Sequence, residues 1–109
     1  MKLPELTDAT LARRIAEART PLLIVFVSPS SRPSRAMLPL LAEVADGYTG
    51  LIEFVLAGED QCPNAVNSFG ILSLPTYLVF RGGTLCARFI GSMTRERLSQ
   101  RLEASLEGA

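Results

Sequence analysis

The chain reads as an α/β sandwich built on a mixed sheet. Three observations support this: apolar strand-like runs alternate with segments of helical spacing, a glycine-centred hairpin follows them, and a last helix closes the chain. At 109 residues it is one domain, 1–109, with enough chain for a single core.

Thr7 or Asp8 suits the N-cap of a first helix, on which Leu11, Ile15 and Ala18 share a face before Thr20-Pro21 ends it. Leu22 to Val27 is continuously apolar and rich in branched residues, as expected of a central strand buried on both faces. Ser28-Pro29-Ser30-Ser31 is a turn. Pro33 fits the first turn of the next helix, where its missing N–H costs nothing, and Met37, Leu40, Leu41 and Val44 form that helix's apolar stripe. Pro39 lies inside the helix and predicts a kink. Beyond Gly47 and Gly50, Leu51 to Ala57 is a second apolar strand, followed by the turn Gly58-Glu59-Asp60-Gln61 and a short helix from Pro63 to Phe69. Thr76 to Phe80 and Leu85 to Ile90 flank Arg81-Gly82-Gly83-Thr84, a hairpin signal. Thr94 is placed to cap a final helix with Leu98, Leu102 and Leu106 along one face.

Composition narrows the chemistry. Eleven basic residues balance eleven acidic ones, so no net field draws the chain to nucleic acid or to an anionic membrane. The longest apolar run is too short to span a bilayer and no leader precedes it, so a cytoplasmic location is the expectation. Without histidine, triads and histidine-based metal sites are excluded, and two cysteines make neither a disulfide scaffold nor a metal centre. No metal and no cofactor is expected.

Phe26 at a strand end, Ser31-Arg32-Pro33-Ser34 at the following helix start, Pro39, Asp60-Gln61-Cys62-Pro63, Leu74-Pro75-Thr76, Phe80-Arg81-Gly82-Gly83 and Gly91 occur in the order found in thioredoxins. From about Leu6 to Leu106 the chain resembles that family. The resemblance implies a thioredoxin fold, with four to five strands flanked by about four helices, and a cis peptide bond before Pro75. It also implies that Ser31 and Ser34 occupy the positions of the redox cysteines in Cys-Gly-Pro-Cys. The family's buried acid, proton-relay lysine and active-site tryptophan are replaced by Val25, Leu56 and Ser30, and the glycine between the cysteines by Arg32.

Dithiol exchange needs a thiolate, whose pKa the helix N-terminus lowers, and a second thiol to resolve the mixed disulfide. A hydroxyl at Ser31 has no neighbouring base to activate it, so no residue is catalytic in the chain as written. Two origins stay open for the serines. Loss of the acid and the lysine favours natural degeneration, whereas paired serines are also the usual isosteric replacement in a thioredoxin made inactive. What the resemblance leaves intact is a peptide-binding surface, formed by Ser30, Ser31, Arg32 and Pro33 with Leu74, Pro75 and Thr76, where an extended protein segment adds as a strand. The alternative is that Pro75 serves turn geometry alone.

Cys62, just before a helix start, is either a reactive thiol supporting a one-cysteine redox role or an ordinary loop cysteine. Cys86 alternates with neighbours on a strand and reads as a small core residue, so no Cys62–Cys86 disulfide is expected. Arg32 and Arg35 beside a helix N-terminus are either an anion contact or solvated, the latter being simpler. Arg95, Arg97 and Arg101 with Glu96, Glu103 and Glu107 read as a solvated helix face.

Overall fold

The computed structural model describes residues 2–107. Along the chain run β1 (Glu5–Leu6), α1 (Asp8–Glu17), β2 (Leu22–Val27), α2 (Arg32–Gly47), β3 (Glu53–Gly58), α3 (Pro63–Ser68), β4 (Thr76–Arg81), β5 (Thr84–Ile90) and α4 (Arg95–Glu107). The five strands form one sheet in the order β1-β3-β2-β4-β5, with β1, β3 and β2 parallel and β4 and β5 antiparallel to their neighbours. This is the expected mixed α/β architecture.

β2 is paired on both edges and all six of its residues are buried. Its alternation divides the core. Leu23, Val25 and Val27 pack with Met37, Leu41 and Val44 of α2 and Leu98 and Leu102 of α4. Leu22, Ile24 and Phe26 pack on the other face with Leu11 of α1 and Ala65 of α3. Pro39 lies within α2 as expected.

β1 leaves no mark in the sequence, because two residues carry no periodicity. It pairs with β3, Glu5 opposite Leu56 and Leu6 opposite Ala57. β3 starts later than the apolar run that predicts it. The amides of Leu51 and Ile52 both donate to the Tyr48 carbonyl, closing the turn after α2 and leaving Leu51 64% exposed. Gly82 and Gly83, with φ of 56° and 82°, make the hairpin turn that only such residues adopt freely.

Cys86 is a correction. It is exposed rather than core, because the β4–β5 register pairs Val79 with Ala87 but Phe80 with Leu85. Cys86 is the extra residue of that bulge, on an edge strand, so simple alternation fails there. The charged face of α4 is also more than solvated. Arg95 pairs with Glu43 at 2.8 Å, Glu103 accepts a hydrogen bond from the Tyr48 hydroxyl at 3.1 Å, and the Arg101 guanidinium lies 5.5 Å from the Phe89 ring centre.

Tyr77 on β4 is fully buried, stacks on Phe89 at 4.8 Å, and its hydroxyl meets no partner among the described residues. Burial pushes its pKa far above the ordinary phenol value. Tyr77→Phe removes an unsatisfied polar group, so urea unfolding should show stability unchanged or raised by up to about 1 kcal/mol. Because folding keeps the phenol protonated while the unfolded chain releases the proton, the parent should lose stability as pH rises past about 10. The Tyr77→Phe variant should lose less, and an equal loss would contradict this assignment.

Candidate functional site at the Ser28–Ser34 turn

At one end of the sheet three connections meet. Val27 at the end of β2 pairs with Gly58 at the end of β3, and Phe26 pairs with Thr76 at the start of β4. The turn after β2, the turn after β3 and the loop before β4 therefore share this end.

The turn after β2 is held by hydroxyls. Ser31 is the N-cap of α2, its Oγ accepting the Ser34 amide at 3.3 Å, and Pro33 occupies the first helical turn. Ser34 is fully buried. Its Oγ accepts the Ser28 amide at 3.1 Å and its proton faces the carbonyls of Ser28 at 3.0 Å and Ser31 at 3.1 Å. Ser28 Oγ in turn lies 2.9 Å from Ser30 Oγ and accepts the Ser30 amide at 3.3 Å. The Ser34 hydroxyl is thus committed to the backbone, whereas Ser30, Arg32 and Pro33 are exposed and Ser31 is half-buried. Arg35 is exposed and donates from one guanidinium nitrogen to the Pro29 carbonyl, a tie within the turn.

Beneath the turn the sheet presents neither a carboxylate nor an amine at the paired positions. Val25 pairs with Leu56 on one side and with Tyr77 on the other, and all three are buried. The two positions where the family resemblance expects an acid and a lysine are thus an apolar pair in register.

The loop before β4 is the second component. The Leu74–Pro75 bond is cis, the Thr76 hydroxyl donates to the Ser73 carbonyl at 2.6 Å, and the Pro75 carbonyl accepts the Gly91 amide at 2.9 Å. The N–H and C=O of Leu74 make no hydrogen bond among the described residues. Beside them Leu72 is 96% exposed, and Ile90, paired with Thr76, is 53% exposed. Sequence reasoning does not single out those two apolar side chains, nor Ser28 as a hydrogen-bond partner. Leu72 sits in a short apolar stretch that reads as buried, and only the loop's placement exposes it.

Cys62 corrects both readings made from sequence. It shares this sheet end but is fully buried, and its thiol donates to the Leu6 carbonyl of β1 at 3.2 Å. Burial, then the charges of Asp8 and Asp60, raises its pKa above the ordinary thiol value. It is neither an acidic nucleophile nor a loose loop residue. Asp8 also ties α1 to α3, accepting the amides of Asn64 and Ala65 at 2.9 Å each. Both cysteines are free thiols, and no cluster of metal-ligating side chains occurs among the described residues.

A sheet of this topology, with a helix springing from its central strand opposite a cis-proline loop, defines the thioredoxin-fold class. The thioredoxin family model matches residues 2–104. The chain is 32% identical over 102 residues to Thioredoxin 1 of Nostoc, covering 94% of this chain and 95% of that one. It is 31% identical to chloroplastic Thioredoxin M4 of Arabidopsis thaliana, covering 97% of this chain and 55% of the relative, and 29% identical to the Synechocystis thioredoxin over 94% and 96%. In fold it matches a chain from a study of thiol resolution in yeast mitochondrial 1-Cys peroxiredoxin, with a TM-score of 0.83 at 22% identity over 94% of each chain. The chain belongs to the thioredoxin family.

Two outcomes are expected at this site. Native protein treated with a thiol reagent should label at Cys86 only, with Cys62 labelling once denaturant is added; rapid native labelling of Cys62 would contradict its burial. Ser34→Ala leaves the partly buried Ser28 amide without its partner and should lower stability by roughly 1–3 kcal/mol in urea unfolding, whereas Ser30→Ala should cost under about 1 kcal/mol.

Proposed function

We propose that this thioredoxin-family protein binds an extended segment of a partner protein, as an adaptor or chaperone-like module, and carries out no dithiol exchange as written. The observation that carries the reading is the contrast across the site: the Ser34 hydroxyl is consumed by backbone contacts, while the Leu74 N–H and C=O are unpaired among the described residues. An extended chain laid beside Leu74 gains main-chain hydrogen bonds, as in other strand additions. Leu72 and Ile90 supply apolar contact for its side chains, and Ser31, capped on its acceptor side only, retains a hydroxyl proton to donate. Ser30, Arg32 and Pro33 form the opposite lip, and Pro75 and Thr76 set the loop. The site calls for no cofactor, metal or nucleic acid, and a cytoplasmic setting is part of the proposal. Among the described residues no helix is long and apolar enough to cross a membrane.

Family membership favours a second reading: a thiol-disulfide oxidoreductase in which Ser31 and Ser34 stand where two cysteines were replaced. The buried, raised-pKa thiol of Cys62 argues against a one-cysteine redox role.

Insulin reduction by dithiothreitol should proceed at its background rate with the chain present, and reduced, unfolded client protein should shift the amide signals of Leu74 and Thr76. Acceleration above background would sink the redox-inactive reading. Absence of shifts at the loop with several unfolded clients would sink the binding one.

A further inference from the structure

A cavity of about 300 Å³ opens beside the serine turn, on the side away from the Leu74 loop, lined by Glu5, Val27, Leu38, Leu56 and Asp60 among others. Its floor is apolar: Val27 and Leu56 belong to the buried core, and Leu38 packs against it. A second cavity of about 340 Å³ shares Glu5, Leu38 and Leu56, so the two form one cleft along the seam between α2 and β1. Glu5 pairs with Leu56 across β1 and β3, which places its carboxylate over the leucine on the same sheet face. Asp60 comes from the turn after β3. Both acids are exposed, and neither makes an ion pair or hydrogen bond among the described residues, where the ion pairs are Arg14–Glu53 and Arg95–Glu43. Two cations also line the cleft: Arg35, with a guanidinium nitrogen bound to the Pro29 carbonyl, and the exposed Lys2, which lines the second cavity and not the one that holds Asp60.

We propose that this cleft receives a lysine side chain of the bound partner protein, the methylene stem lying on Val27, Leu38 and Leu56 and the ammonium meeting Glu5 and Asp60. Apolar floor and unpaired acidic rim match the two halves of a lysine side chain, which buries its stem while its charged head stays at the surface. Neither half alone selects it: a carboxylate side chain is repelled at the rim, and an aliphatic one leaves both acids unpaired. The inference rests on the partner-binding reading above and adds a specificity to it.

The test follows amide signals of the isotope-labelled chain at low ionic strength during titration with acetyl-Ala-Leu-Lys-Leu-Ala-amide, and separately with the same peptide carrying norleucine for lysine. The lysine peptide should shift Ser28, Leu56, Gly58 and Gln61. Norleucine should bind there about fivefold more weakly, and the Glu5→Gln/Asp60→Asn chain should lose the same factor for the lysine peptide, the size expected of surface charge pairs. Leu56→Lys, which fills the cleft with an internal ammonium, should abolish the cleft shifts. Equal affinity for the two peptides, or no shift at these amides, would overturn the lysine site. Shifts at Leu74 and Thr76 without cleft shifts would overturn it while leaving partner binding intact, and cleft shifts without loop shifts would uphold the cleft and count against the loop.

Discussion

The buried hydroxyl of Ser34 joins the end of the central strand to the first turn of α2. From a fully buried position its Oγ accepts the Ser28 amide and its proton faces the Ser28 and Ser31 carbonyls, which also accept the Ser31 and Arg35 amides. Each such bond contributes only about 1 kcal/mol net, but leaving the amide unmet costs more, so the turn has one good geometry. That geometry sets the direction in which α2 leaves the sheet, and hence how Met37, Leu41 and Val44 reach the core under β2. It also decides what faces outward: Ser31 and Arg32 on one lip, and at the same sheet end a loop whose Leu74 backbone makes no hydrogen bond among the described residues.

The same arrangement is the basis of the proposed lack of dithiol chemistry, and magnitudes carry it. A helix N-terminus stabilises an adjacent anion by up to about 2 kcal/mol, or roughly 1.5 pKa units. That brings a thiol from about 8.5 to near neutrality. A hydroxyl, whose acidity is close to that of water and far below a thiol's, stays protonated. Nothing under the turn makes up the difference, since Val25 and Leu56 are an apolar pair and the neighbouring Tyr77 is held neutral by burial. Leu56, at the position where the family resemblance expects a lysine, also floors a cleft lined by Glu5 and Asp60, whose carboxylates make no ion pair among the described residues.

Elements with strong periodicity or end signals are legible from sequence: β2 from its unbroken apolar run, α2 from Pro33 and its stripe, the hairpin from Gly82-Gly83, α4 from Thr94 and its leucines. The two cysteines are misread for different physical reasons. β1 is too short to show a pattern, and without it the Leu6 carbonyl that covers Cys62 is invisible, so a buried thiol looks like a surface one. Cys86 looks like a core residue because a bulge breaks the alternation on which that inference rests. Ser31 and Ser34 are found by their place in a motif, but their division of labour, one at the surface and one buried, depends on tertiary contacts that no local pattern encodes. For the same reason the exposure of Leu72 and Ile90 at this sheet end depends on how the loop before β4 and the end of β5 are placed.

The most direct test places cysteines at the two serine positions of the turn. In the Ser31→Cys/Ser34→Cys chain the two thiols should form a disulfide, yet insulin reduction should run far below that of a dithiol thioredoxin measured alongside, because Val25 and Leu56 move no proton. Adding Val25→Asp and Leu56→Lys should then raise the rate. Full activity from the two cysteines alone would show that the turn is a redox site lacking only its sulfur, and would contradict the account of a surface reorganised for binding.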